Sequence, residues 1–141
     1  ALGIQSVVQA AAGDAAIGVI VGFATDPTNL NTPQYRSAST GRYVYVVDDP
    51  NVLFEIETSN GTLALGDVGL NANIASAGGS TTTGRSGMTL DVGTKATTAT
   101  LQLRIMQYTQ RVDNDNTSAS AKAVVRINNH QLAAGTGVAG V

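Results

Sequence analysis

Apolar residues in this chain recur mostly at every second position, in short runs punctuated by Gly, Pro, Asn and Asp. That period predicts strands rather than helices. The most regular stretch is Ala99–Gln131. It reads as two long strands, Thr100–Arg111 and Ala119–Asn129, joined by the tight polar turn Asp113-Asn114-Asp115-Asn116. In the first, Leu101, Leu103 and Ile105 face inward, and Gln102, Arg104 and Gln110 sit opposite. Met106 and Tyr108 add apolar surface to that second face. In the second, Ala123, Val125 and Ile127 form the core side, against Val124 and Arg126.

Upstream, Gln5–Ala10 is a short strand candidate. Ile17, Val19, Val21 and Phe23 alternate with Gly18, Ile20 and Gly22, which predicts a strand against a core. Its glycines predict a bulge or a close neighbouring backbone. Arg42–Val47 is the strongest single strand signal, ended by Asp48-Asp49-Pro50. Val52, Phe54 and Ile56 then face one side, with Leu53, Glu55 and Glu57 on the other, as in a half-buried antiparallel strand. Ser59-Asn60-Gly61 predicts a hairpin turn, because Asn-Gly accepts positive φ at both central positions. Thr62–Ile74 fits a short strand plus a turn, and Met88, Leu90 and Val92 restart alternation.

Three segments carry no period. Asp26–Gly41 contains Asp26-Pro27 and Thr32-Pro33 and is long for a connection, so it predicts an arm with Tyr35 and Arg36 as contact residues. Ala75–Gly87 is too rich in Gly, Ser and Thr to pack a core and predicts a flexible loop. The tail Ala133–Val141 is either disordered or laid along a neighbour as an extended arm. The expected fold is all-β: a single domain over residues 1–141, an antiparallel sandwich or barrel of which a jelly roll is one form, with long loops and extended termini. There is no internal repeat.

Composition narrows the function. The 141 residues suffice for one core without staples. Charged residues make up 13% of the chain and net charge is −2, against an average charged fraction of about 25%. Such a surface suits packing against protein and gives no electrostatic footprint for nucleic acid. The absence of cysteine excludes disulfides and thiolate sites and fits folding in a reducing cytoplasm. No apolar run approaches the roughly 20 residues of a membrane-spanning helix. Ala1-Leu2-Gly3 lacks the basic region of a signal peptide, and Ala1 is a residue after which an initiator Met is normally removed, so the expected start is that of the whole chain.

Candidate chemistry is sparse. His130, the single histidine, would have to serve any Ser-His-Asp triad, and without Cys or a second His it builds no ordinary zinc site. It reads as a strand-end contact or a hydrogen-bonding residue. Asp113–Thr117 spaces oxygens as calcium loops do, but lacks the Gly and distal Glu of an EF-hand, so a β-turn is expected. Glu55 and Glu57 share a strand face as solvated or Arg-paired groups. Gly78–Gly87 lacks the Lys-Ser/Thr of a phosphate loop. The expected catalytic, cofactor and metal sites are therefore none. Arg36, Arg85, Arg104 and Arg126, with Tyr35 and His130, are the expected partner contacts, since Arg is enriched at protein interfaces.

Several strand phrases resemble a known family. They are Ile17–Phe23, Tyr43–Pro50, Phe54-Glu55-Ile56, Gly84–Gly87, Leu101–Ile105 and Arg126–Gln131. Together they are similar to the head cement or decoration proteins of tailed bacteriophages, over roughly residues 16–131. The resemblance implies a jelly-roll-like protein without catalytic residues, made in the host cytoplasm and carried on the outer surface of the virion. It implies that the chain bridges major capsid protein subunits and pairs with itself across a symmetry axis. A tail or baseplate β-protein, a carbohydrate-binding β-sandwich and an enzyme are the alternatives. The second would want a concave aromatic surface, and the chain has no Trp; the third would want a buried polar cluster around His130.

Overall fold

The computed structural model describes residues 5–29, 31, 34–36, 40–133 and 135–141. Part of the expected 26–41 arm, at residues 30, 32–33 and 37–39, lies outside them, as does residue 134 of the tail. The described elements are strands β1 (Val19–Phe23), β2 (Val44–Val47), β3 (Leu53–Ser59), β4 (Asn71–Ala75), β5 (Thr89–Ala96), β6 (Leu103–Tyr108) and β7 (Lys122–Ile127), with one 3₁₀ turn over Leu65–Asp67. The all-β expectation holds. β3 to β7 form a closed barrel in the order β3-β5-β4-β6-β7, and β1 and β2 form a separate two-stranded ribbon.

The barrel is mixed rather than wholly antiparallel. β3 runs parallel to β5 through Thr58↔Leu90 and Ser59↔Asp91, while the other barrel pairs are antiparallel. Closure removes the sheet edges. That corrects two expectations. Ser59-Asn60-Gly61 does turn, with φ of 58° at Asn60 and 146° at Gly61, but it is not a hairpin, because both sides of β3 are taken by β5 and β7. Gln5–Ala10 forms no strand. The N-terminal segment makes one isolated bridge, Ala16↔His130.

The core is Leu63, Ala72, Ile74, Leu90, Val92, Leu103, Ile105, Tyr108, Ala123, Val125 and Ile127. Phe54, Ile56 and Met88 pack against it. Full burial of side chains such as Leu90, Ile105 and Val125 contributes roughly 1.5–3 kcal/mol each. Tyr108 belongs to this core, against the expectation from spacing. Between Ile105 and Gln107 the β6–β7 register shifts by one residue, so Met106 bulges and parity flips. The β6–β7 connection is also longer than a tight turn. Asn114 pins it, donating from Nδ2 to the carbonyls of Thr109 and Lys122 and accepting the Lys122 N–H at 2.7 Å.

Three buried amide side chains fasten the irregular segments to the barrel. Gln102 was expected outside and is 1% exposed. Its Oε1 accepts the Ile74 N–H at 3.0 Å, and its Nε2 donates to the carbonyls of Ala11 and Asp14, both at 2.8 Å. Asn128 Nδ2 donates to the Ala99 and Leu101 carbonyls, and its Oδ1 accepts the Val138 N–H at 2.9 Å. Asn71 Nδ2 donates to Thr98 and Val138 carbonyls. The tail is laid along its own barrel, with Gly140 N–H on Thr97 O and Val141 N–H on Gly69 O.

Replacing Gln102 by Leu strands the Ile74 N–H and frees the N-terminal strap. The expected cost is about 2–3 kcal/mol, read as a lower urea midpoint, with cleavage within residues 5–16 preceding loss of the barrel in limited proteolysis. An unchanged midpoint and cleavage pattern would contradict this role.

Candidate interaction surface

The ribbon stands apart from the core. β1 and β2 pair antiparallel, with a register shift between Ile20 and Gly22. Gly18 lies against the Val47 carbonyl so closely that an added Cβ would collide with its oxygen. Both readings of its glycines, bulge and close backbone, therefore hold. The expected packing against a core does not. Val19, Ile20 and Val21 are exposed, Val21 at 63%, and Tyr43 and Tyr45 are 67% and 61% exposed. No residue of β1 or β2 joins the barrel core or packs on it. The strands VIVGF and VYVV carry no charge. Chain closure explains this placement: the barrel offers no edge for a further hairpin.

Beside the ribbon is a cleft of about 400 Å³ lined by Ile20, Val21, Phe23, Gln34, Arg42 and Gly84, among others. Arg42 sits 5.1 Å from the Phe23 ring centroid and donates to the carbonyls of Tyr35 and Ala24 at 2.8 and 2.6 Å. It therefore closes the base of the loop that leaves the ribbon.

The other expected contact residues are scattered. Tyr35 is half-buried and Arg36 exposed, its Nη1 3.4 Å from the Thr40 carbonyl. Arg85 is exposed in the turn closed by Ser80 N–H to Arg85 O. That turn is the hydrogen-bonded part of the 75–87 loop, whose first residue ends β4. Arg104 and Arg126 are half-buried cross-strand partners on β6 and β7. His130 is 2% exposed, so its ring is not presented to solvent. Its Nδ1 accepts the Leu132 N–H at 3.0 Å, and its Nε2 is buried without a protein partner.

Carboxylates are engaged in structure. Glu55 accepts from Thr109 Oγ1 and pairs with Arg111 at 2.8 Å. Asp115 accepts both N–H and hydroxyl of Thr117, which hold its carboxyl below the ordinary value. Asp113–Thr117 is thus a turn, and no group of metal-ligating side chains occurs among the described residues. Asp67 pairs with Lys95 at 2.7 Å and accepts the Ala64 N–H. Burial works to raise its carboxyl. The Lys95 hydrogen bond, the Ala64 N–H and the Lys95 charge outweigh that and lower it. Burial and the Asp67 charge push the neighbouring Tyr108 phenol up. The Asp67–Lys95 pair, the Gln102 clamp and the exposed ribbon were all missed by periodicity. Only the uncharged character of 17–24 and 43–47 signalled the last.

Comparison with known proteins finds no family model, no curated protein and no solved structure that matches this chain.

Two outcomes follow. An isolated two-stranded ribbon is marginal in water, so amides of β1 and β2 are expected to exchange about 100-fold faster than those of β6 and β7. Gly18→Ala is expected to leave the barrel's unfolding midpoint within about 0.5 kcal/mol. Ribbon and barrel amides protected alike would contradict it. Asp67 is lowered when folded, so the stability it adds is present above the ordinary aspartate range and is lost as pH falls through the folded value. Asp67→Asn is therefore expected to unfold earlier in urea at neutral pH, with the gap closing as pH falls below the ordinary aspartate range. A gap independent of pH would rule out this linkage.

Proposed function

We propose that the chain is a non-enzymatic structural protein of a bacteriophage virion. It binds the outer face of the capsid and cements neighbouring major capsid protein subunits through strand and loop contacts. The observation that carries this reading is the ribbon, a charge-free sheet whose Val, Ile and Tyr side chains face solvent. Contiguous apolar surface of this kind marks an interaction site. The resemblance of the strand phrases supplies the head location. In this reading the barrel is the body of a jelly-roll-like cement protein, and a pair of chains sits at a symmetry axis.

The energetics suit such a role. Weak contacts, none of them covalent, become strong when repeated over a symmetric shell. A chain with few charges adds little repulsion between closely spaced copies.

Purified protein mixed with empty capsid shells is expected to saturate at on the order of hundreds of copies per shell. Saturation is expected to raise the temperature at which shells rupture. Absence of binding, or a handful of copies at one vertex, would refute cementing and favour the tail reading.

A further inference from the structure

Two cations on the outer face of the barrel have no ion-pair partner among the described residues. Arg104 on β6 and Arg126 on β7 are direct cross-strand partners. The same row continues to Leu53 on β3 and to Asn71 on β4, so it contains no acid. The ion pairs among the described residues are Lys95–Asp67, Arg111–Glu55 and Arg111–Asp113, and neither Arg104 nor Arg126 takes part. On the adjoining β3 the acids of this face lie further along the strand. Glu55 is held by Arg111, and Glu57 stands opposite Lys122.

Like charges directly opposite on a sheet are unfavourable to the fold. Both arginines are also half-buried, which strips part of their hydration. Among the described residues Arg104 donates only to the Ala139 carbonyl, at 3.3 Å. Arg126 has no hydrogen bond among the described residues, and it lines a cleft of about 160 Å³ with Pro50, Asn51, Ala133, Gly137 and Val138. That space suits one side chain. A guanidinium fork matches a carboxylate, which accepts paired N–H donors, and Arg104 stands directly across the β6–β7 ladder from Arg126.

We infer that Arg104 and Arg126 form a docking site for an acidic side chain of a protein partner, seated in the cleft beside Arg126. The inference names the chemistry by which the proposed cement function would grip its shell, and to that extent rests on that function. It also makes a claim about the free protein. The arginine pair is held against the interest of the fold, so its removal does not weaken the barrel.

The first test is a titration of the free chain with hexaglutamate at low ionic strength, followed by NMR of the arginine side-chain resonances. Shifts are expected at Arg104 and Arg126, abolished in Arg104→Gln/Arg126→Gln. No shift at either residue would overturn the inference. The second test measures Arg126→Gln in urea and on capsid shells. The unfolding midpoint is expected to equal or exceed that of the parent, while the dissociation constant for shells rises about tenfold. A lower midpoint with unchanged shell binding would make Arg126 a structural residue and overturn the inference. Loss of self-association without loss of shell binding would assign the site to a second copy and overturn it as well. Hexaglutamate binding by a chain that ignores shells would sink the cement function and leave the carboxylate site standing.

Discussion

The fold depends on one buried amide. Gln102 lies at the entrance to β6, where the barrel wall meets the N-terminal segment and the end of β7. Its side chain joins the Ile74 N–H of β4 to two carbonyls of the strap, and its own carbonyl receives the N–H groups of Asn128 and Asn129. A buried amide left unpaired destabilises, whereas a satisfied one fixes a single arrangement of the groups around it. Asn128 repeats the device for the 97–101 connection and the tail, and Asn71 adds Nδ2 bonds to the Thr98 and Val138 carbonyls while its Oδ1 is buried without a partner among the described residues. Without cysteine, the chain secures its irregular ends by side-chain hydrogen bonds to backbone.

This arrangement divides the molecule. The barrel is closed, edge-free and filled by aliphatic side chains. The ribbon projects from it with apolar faces in water and little internal support. A free monomer draws no stability from exposing Val21, Tyr43 and Tyr45, and the proposed function gives them a surface to cover them. The arginine row adds polarity at a second position, with charge that the chain itself leaves unbalanced. A rigid body, an apolar ribbon and a cationic row together suit contact with a neighbour, and the described residues hold no metal-ligating cluster.

Much of the barrel was legible from alternation. Leu103 and Ile105, Ala123, Val125 and Ile127, and Phe54 and Ile56 face inward as their spacing requires. What failed has physical causes. The bulge at Met106 changed the parity of β6 and put Tyr108 inside, and no pattern of residue types marks a bulge without glycine. Gln102 looked solvent-facing because polarity alone does not show whether an amide has buried partners. Ile17–Phe23 looked like a core strand because an apolar strand reads the same whether its cover is its own barrel or another chain. The parallel β3–β5 pair is a matter of topology, which local sequence does not encode. The candidate surface was legible only as composition, as an uncharged stretch and dispersed arginines, since register alone sets Arg104 beside Arg126.

The central claim is that the ribbon is the face that meets the shell. Hydroxyl-radical footprinting of the chain, free and bound to capsid shells, tests it most directly. The account predicts that Tyr43 and Tyr45 lose most of their reactivity on binding, while exposed residues away from the ribbon, such as Val112, keep theirs. Tyr43 and Tyr45 equally reactive in both states would contradict it.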